Sequence, residues 1–327
     1  MHRHYPLLYI SIAGLYLFSF FNMFGIKKEL YLIHGVYLLV ALVLFFVFSR
    51  IDTKVLRSNA ATAYMISIAL LVIVLILGAN VRGAKRWFDF FIFRFQVAEF
   101  VKPFFLMAIA SVIAASKRIS ADMIIKGIIV TFLPLFLIFL QPDLDTVILY
   151  GMVGFCLFFV AGVKLRYYFS TAVLMGISSP ILWLLLHDYQ RKRIIGFLSP
   201  NLDPQGITYN INQAIIAVGS GNFFGKGLGL GTQSRFQFLP EYHTDFAFAS
   251  LIEQFGFLGG AFVLALYGLL LYELFNKAFA HKDDLFATIY LYGCALFMFF
   301  SMFFNVGMNL GLLPVTGIAL PFISYGG

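Results

Sequence analysis

The run Glu241-Tyr242-His243-Thr244-Asp245, preceded by Phe238-Leu239-Pro240, puts three ionisable side chains at the mouth of a strongly apolar stretch. If a helix starts near Thr244, Asp245 lies in its first turn. Thr or Asp at a helix N-terminus is an ordinary cap, and for Thr244 that reading serves as well as a chemical one. It does not account for Glu241 and His243 beside it. An acidic group at a membrane boundary is costly and is a functional candidate by default. Placed there, Asp245 could take the proton from an attacking hydroxyl, which is the work of a general base.

A second cluster runs from Arg82 to Lys102 and holds Lys85, Arg86, Trp87, Arg94, Gln96 and Glu99. Glu99 and Lys102 are spaced i,i+3 and share a helix face. An interfacial belt explains Trp87, Lys85 and Arg94, because aromatic and cationic side chains gather at headgroup level. It explains Glu99 and Lys102 less well, since they fall inside an apolar run and should face a bundle interior. A cation so placed could hold a diphosphate as negative charge develops on it. Gln141-Pro142-Asp143-Leu144-Asp145 lies between two apolar blocks. A plain turn explains it as well as a site does.

The glycine-rich stretch from Gly219 to Gly231 contains Gly225-Lys226-Gly227 but fits neither GxGxxG nor the P-loop, because Gly227 follows Lys226. Flexible backbone beside a substrate is the milder reading. Arg193 and Gln213, in the same polar region, are further candidates for substrate binding or support. There is no HExxH, GxSxG or paired-cysteine site. Cys156 and Cys294 each lie in an apolar block and read as small buried hydrophobes. The residues demand no cofactor or resident metal, although a divalent cation is compatible with them.

The elements that must position these groups are membrane spans. Of 327 residues, 61% are hydrophobic and 12% charged, half the charged share of a soluble protein. Mean hydropathy is +0.91. A helix needs about 20 mostly apolar residues to cross a bilayer. Such runs lie near 6–24, 30–49, 60–79, 97–115, 122–140, 145–162, 168–187, 246–273 and 285–306. The fold class is therefore an all-α polytopic integral membrane protein, read as one domain over 1–327. Arg3 and two histidines precede the first run without a small-residue cleavage site, which makes it an uncleaved span.

Residues 310–325 are apolar but broken by Gly311, Pro314, Gly317 and Pro321, and read as a re-entrant or irregular segment. The stretch 188–245 is the least hydrophobic and reads as a long loop. With the N-terminus inside, cytoplasmic loops hold Arg50, Lys54, Arg57, Lys117, Arg118, Lys126, Lys164, Arg166, Lys277 and Lys282. The 188–245 loop and the basic 80–96 loop then face outward. The latter's charge calls for an anionic partner. The net charge of +8 sits in loops rather than in a basic domain, which favours anionic lipids or a lipid-linked anion over nucleic acid.

Together these residues resemble the SEDS family, the shape, elongation, division and sporulation proteins. Lys85-Arg86-Trp87, Arg94-Phe95-Gln96 with Glu99 and Lys102, Gln141-Pro142-Asp143-Leu144, Gly225-Lys226-Gly227, Pro240-Glu241 with His243-Thr244-Asp245-Phe246, and Ser324-Tyr325-Gly326-Gly327 stand in the family's order and spacing. His187 to Arg191 and Gly231-Thr232-Gln233-Ser234 are similar to the RodA-like branch rather than to the division protein FtsW. Three departures stand out: Val97-Ala98 where the family has Pro-Ser, Asp145 where it has Gly, and an end at Gly327 where it has one more span, ten in all.

The resemblance implies a peptidoglycan glycosyltransferase that joins lipid II into β-1,4-linked glycan at the outer face of the bacterial cytoplasmic membrane during elongation, releasing undecaprenyl diphosphate. Asp245 matches the family's essential aspartate and would be the catalytic base. Lys102, Arg86 and Lys226 would stabilise the leaving diphosphate, and Glu99 would orient Lys102 and tune Asp245. Implied partners are lipid II, the nascent strand, a class B penicillin-binding transpeptidase and other elongation-complex membrane proteins. The alternatives are a lipid II flippase, which needs charges on both sides of the midplane, and a non-catalytic scaffold, for which Asp245 would be dispensable.

Overall fold

The computed structural model describes residues 6–26, 28–81, 84–90, 94–116, 119–199 and 207–325. Expectations placed on Arg3, Lys27, Arg82, Lys117, Arg118, Gly326 and Gly327 lie outside the described residues. In chain order the elements are α1 (Pro6–Ile26), α2 (Lys28–Phe48), α3 (Thr53–Ser58), α4 (Ala60–Leu77), β1 (Ala79–Val81), β2 (Ala84–Asp89), β3 (Arg94–Gln96), α5 (Val97–Ala115), α6 (Ala121–Leu140) and α7 (Leu144–Val160). They continue with α8 (Leu165–Leu185), α9 (Asp188–Leu198), α10 (Ile207–Ser220), α11 (Thr232–Arg235), α12 (Ala247–Ala280) and α13 (Leu285–Asn309).

Each of the nine expected spans falls on one of these helices: α1, α2, α4, α5, α6, α7, α8, α12 and α13. Seven helices among the described residues are long and apolar enough to cross a membrane, and α7 is a shorter apolar one. Their uncovered faces carry Leu, Ile and Phe, such as Phe132 and Leu32. Hydrocarbon imposes no cost on such faces, while helices satisfy their own backbone groups there. The chain is a multi-pass α-helical membrane protein.

Two loops turn out to be structured. Residues 79–96 form a three-stranded antiparallel sheet in the order β1-β2-β3, with Trp87 opposite both Ala79 and Gln96. Strands this short give little periodic signal, although Val, Trp and Phe suit a pleated surface. The stretch read as a long loop over 188–245 contains α9, α10 and α11. Its helical signal is weak but present: Ile211, Ala214 and Ala217 recur at three-residue spacing, and all are buried.

The described chain divides into two compact units. The first gathers residues up to Arg50, 188–273 and 298 onward; the second gathers 51–187 and 274–297. In the first, α1 packs on α2 and α9 on α10. Its core joins Ile211, Ala214 and Ala217 of α10 to Leu239, Tyr242, Phe246, Ala249, Met308 and Val315. The segment 310–325 is irregular, with Ile318, Leu320 and Ile323 buried. In the second unit α4, α5, α6 and α7 pack in sequence, with β2 against α4 and α5.

Candidate functional site

In the first unit, α12 begins at Ala247, so Asp245 lies in the preceding loop, two residues before the helix, instead of in its first turn. The first helical hydrogen bond runs from Ser250 N–H to Phe246 O at 3.1 Å. Asn309 of α13 accepts from the Ala249 N–H at 2.9 Å through Oδ1. Thr244 therefore does not cap α12: its hydroxyl donates to Glu241 Oε2 at 3.2 Å. Glu241 itself sits at φ 50°, in the left-handed region. Its carbonyl accepts from the N–H groups of Thr244 and Phe246, both at 3.1 Å.

The carbonyls around Asp245 are held one after another by residues distant in sequence. Tyr325 N–H donates to His243 O at 2.8 Å. The Ser324 hydroxyl donates to Thr244 O at 2.7 Å. Asn305 and Asn309, one turn apart on α13, both donate to Asp245 O, at 2.9 and 3.1 Å. Asn22 of α1 donates to Ala247 O at 3.3 Å. The segment supplying Ser324 and Tyr325 is itself fastened, for Ser19 donates to Ile323 O at 2.9 Å. The Tyr325 ring lies between those of His34 and His243, at 5.7 and 5.6 Å. The half-buried Asp245 thus stands on a backbone held carbonyl by carbonyl.

The glycine-rich stretch caps a break in α12. Gly256, at φ 72°, interrupts the helix and would orphan backbone groups on both sides. The loop answers with its own backbone. Lys226 and Gly227 N–H donate to the carbonyls of Glu253 and Gln254, at 2.9 and 3.0 Å. In return Phe257 and Leu258 N–H donate to Asn222 and Phe223. Gly225, at φ +85°, comes so close that a Cβ would collide with the Gln254 carbonyl. The glycines are thus required for close backbone approach. Lys226 leaves this loop with its ammonium 2.8 Å from the Thr232 hydroxyl and 3.6 Å from the carboxylate of Glu253.

In the second unit, Arg86 on β2 turns its guanidinium into the turn between α6 and α7. It donates to Gln141 O at 2.9 Å and to Pro142 O, and lies 3.6 Å from Asp143 Oδ1. Asp143 caps α7 by accepting from Thr146 N–H, and also accepts from Gln96 Nε2 on β3, both at 3.4 Å. Burial pushes its carboxyl above the ordinary range, while the guanidinium pulls it down. The turn and the site readings of Gln141 to Asp143 therefore coincide in one object, a turn fastened by a cation.

Lys102 and Glu99 pair at 2.5 Å on α5, with side chains 18% and 49% exposed. The ammonium lies 5.7 Å over the Phe297 ring. Val97 and Ala98, the departure from Pro-Ser, are fully buried, and Ala98 O accepts from the Tyr150 hydroxyl at 2.5 Å. Trp87 is half-buried on β2. Arg193 lies 5.7 Å over the Tyr189 ring of its own helix α9. Gln213 is half-buried on α10. No cluster of metal-ligating side chains occurs among the described residues.

Residues 5–327 match the FtsW/RodA/SpoVE family, described as cell cycle proteins. The chain belongs to that family. It is 40% identical over 296 residues to the peptidoglycan glycosyltransferase MrdB of Escherichia coli K12, covering 88% of this chain and 78% of that one. Its fold is similar to the crystal structure of the rod shape determining protein RodA of Thermus thermophilus, with TM-score 0.74 and 27% identity, covering 100% of this chain and 91% of that chain. It is also similar to a chain of a peptidoglycan synthase complex that coordinates polymerization and crosslinking, with TM-score 0.84 and 28% identity, covering 100% and 93%.

Several residues that build this FtsW/RodA/SpoVE site went unread in the sequence. Ser19, Asn22, Asn305, Asn309, Glu253 and Gln254 are buried polar residues inside apolar runs. The available signal was helical spacing, i,i+3 for Ser19 and Asn22 and i,i+4 for Asn305 and Asn309. Polar residues within a span are bonded to neighbouring elements far more often than they face lipid.

Proposed function

We propose that the chain is a peptidoglycan glycosyltransferase that extends glycan strands from lipid II with Asp245 as its general base. The observation that carries this reading is the carboxylate of Asp245 at the mouth of α12, with Asp245 O held by Asn305 and Asn309 and the two preceding carbonyls by Tyr325 and Ser324. Asp245 takes the proton of the acceptor's 4-hydroxyl as that oxygen attacks the anomeric carbon of the donor sugar. The bond from that carbon to the diphosphate oxygen breaks with its electron pair, and the α-linked donor becomes a β-1,4-linked unit. Undecaprenyl diphosphate leaves.

Lys226, which lies in the same unit as Asp245, is the cation for the departing charge. Arg86 serves the α6–α7 turn instead, since its donors go to carbonyls and to Asp143. The site faces outward across the cytoplasmic membrane, as the positive-inside distribution of Lys and Arg supports. A crosslinking transpeptidase is the natural partner, because a similar chain works within a complex coupling the two activities.

The test is polymerisation of purified lipid II, alone and with a class B transpeptidase. A general base contributes about 10²–10⁴-fold. Asp245→Asn should therefore fold and lose nearly all chain formation. An Asp245→Asn protein that polymerised at the wild-type rate would remove the proposed base. Lipid II crossing vesicle membranes without glycan formation would favour a flippase.

A further inference from the structure

A second acidic residue stands eight positions after Asp245, and nothing in the reaction as described uses it. Glu253 is fully buried, with 0% of its side chain exposed. Its Oε1 accepts from Gln233 N–H at 2.8 Å and from the Thr232 hydroxyl at 3.4 Å. Its Oε2 accepts from Ser234 N–H at 3.1 Å and from the Ser234 hydroxyl at 2.6 Å. Gly231 lies against it so closely that a Cβ there would stand 2.6 Å from Oε2. Backbone and hydroxyl donors thus meet the desolvation demand that a buried carboxylate makes.

Lys226 does not serve that demand by hydrogen bonding. Its ammonium is 3.6 Å from Oε1 and donates to the Thr232 hydroxyl, while its side chain remains 30% exposed. An ammonium has three donors. The arrangement is therefore a buried anion, a bridging hydroxyl and a cation that is reachable from outside. Glu253 also lends its own carbonyl to the Lys226 N–H at 2.9 Å, so both ends of Lys226 are referred to one residue.

We propose that Glu253 is a positioning residue that holds Lys226, through Thr232, at the place where the leaving diphosphate gains charge. This inference rests on the glycosyltransferase reading. A mobile lysine must be ordered by each substrate that arrives, whereas one already aimed stabilises charge without reorganisation when the bond breaks. Glu253 touches no substrate and acts through Lys226 alone.

The experiment measures lipid II polymerisation against substrate concentration for wild type, Glu253→Gln, Lys226→Ala, the double variant and Thr232→Val, with melting curves in detergent. Glu253→Gln keeps the shape but removes the anion. It should lower kcat about tenfold or more with KM little changed, as expected when only transition-state contact is lost. In the Lys226→Ala background it should add little further loss. Thr232→Val leaves the backbone donors of Glu253 intact and should lower kcat in the same direction, which keeps the test open if Glu253→Gln does not fold. Wild-type kcat in Glu253→Gln, or in Thr232→Val where Glu253→Gln does not fold, overturns the proposal and leaves the glycosyltransferase reading in place. So does a loss in Glu253→Gln that multiplies with that of Lys226→Ala and tracks a fall in melting temperature. An inactive wild type sinks the reading itself, and the proposal with it.

Discussion

Asp143 and Arg86 show how a charged pair can be read two ways until its neighbours are known. Burial raises the Asp143 carboxyl above the usual range, and the nearby guanidinium opposes that rise. A carboxyl whose folded pKa exceeds its unfolded value favours the fold while protonated. That contribution fades as pH climbs through the unfolded value, about 3.9, toward the folded one. Arg86→Gln removes the opposing charge and lifts the folded value further. Its melting temperature should therefore fall more steeply than that of wild type as pH rises above the unfolded value. Parallel melting profiles for the two proteins would argue against a working ion pair. Ionisable residues near apolar runs, such as Asp245, Lys226 and Arg86, were legible from sequence because charge is rare in such a chain. Glu253 was not, because it is embedded in the apolar run that follows Asp245 and nothing local announces its partners at 226 and 231–234.

The helices of this protein are legible because the bilayer dictates their length, and all nine expected spans coincide with helices. The sheet over 79–96 and the helices between 188 and 235 were hidden by the reverse circumstance. Strands of three to six residues carry little periodicity, and in α10 the apolar period of Ile211, Ala214 and Ala217 is set among Asn210, Asn212 and Gln213 and is too short to stand out beside the spans. The glycine-rich stretch belongs with them: its motif was visible but its purpose, capping a break at Gly256, was not.

That purpose separates glycines that look alike in sequence. Gly225→Ala puts a side chain where φ is +85° and the Gln254 carbonyl is in the way. It should cost about 2 kcal/mol or more, from the left-handed conformation and the collision together. At Gly219, on helix α10, a Cβ would meet nothing within 4 Å. There Ala should be neutral or stabilise by up to about 1 kcal/mol through helix propensity. Thermal unfolding of the two variants side by side checks the contrast, and equal melting temperatures would contradict it.

At the scale of the whole molecule, the unit that holds Asp245 is assembled from three separate stretches of chain. Asn305 and Asn309 both donate to the Asp245 carbonyl, so either alone leaves it partnered. Asn305→Ala and Asn309→Ala should each reduce polymerisation modestly. The double variant should lose more than the product of the two, because only it leaves that carbonyl without either amide, at a cost of about 1–3 kcal/mol. Strictly multiplicative losses would mean that the two amides act independently. The bond from Ser19 to Ile323 closes a sequence separation of 304 residues. Holders so distant in sequence have a consequence in time. On the ribosome, Asp245 is made about 60 residues before Asn305 and about 80 before Ser324, which at 5–20 residues per second is a wait of several seconds or more. Throughout that interval the nascent chain already carries Asp245 but not the groups that hold the carbonyls around it. On the proposed reading, a chain stopped before Asn305 should therefore form no glycan, and synthesis itself would set the moment at which activity begins.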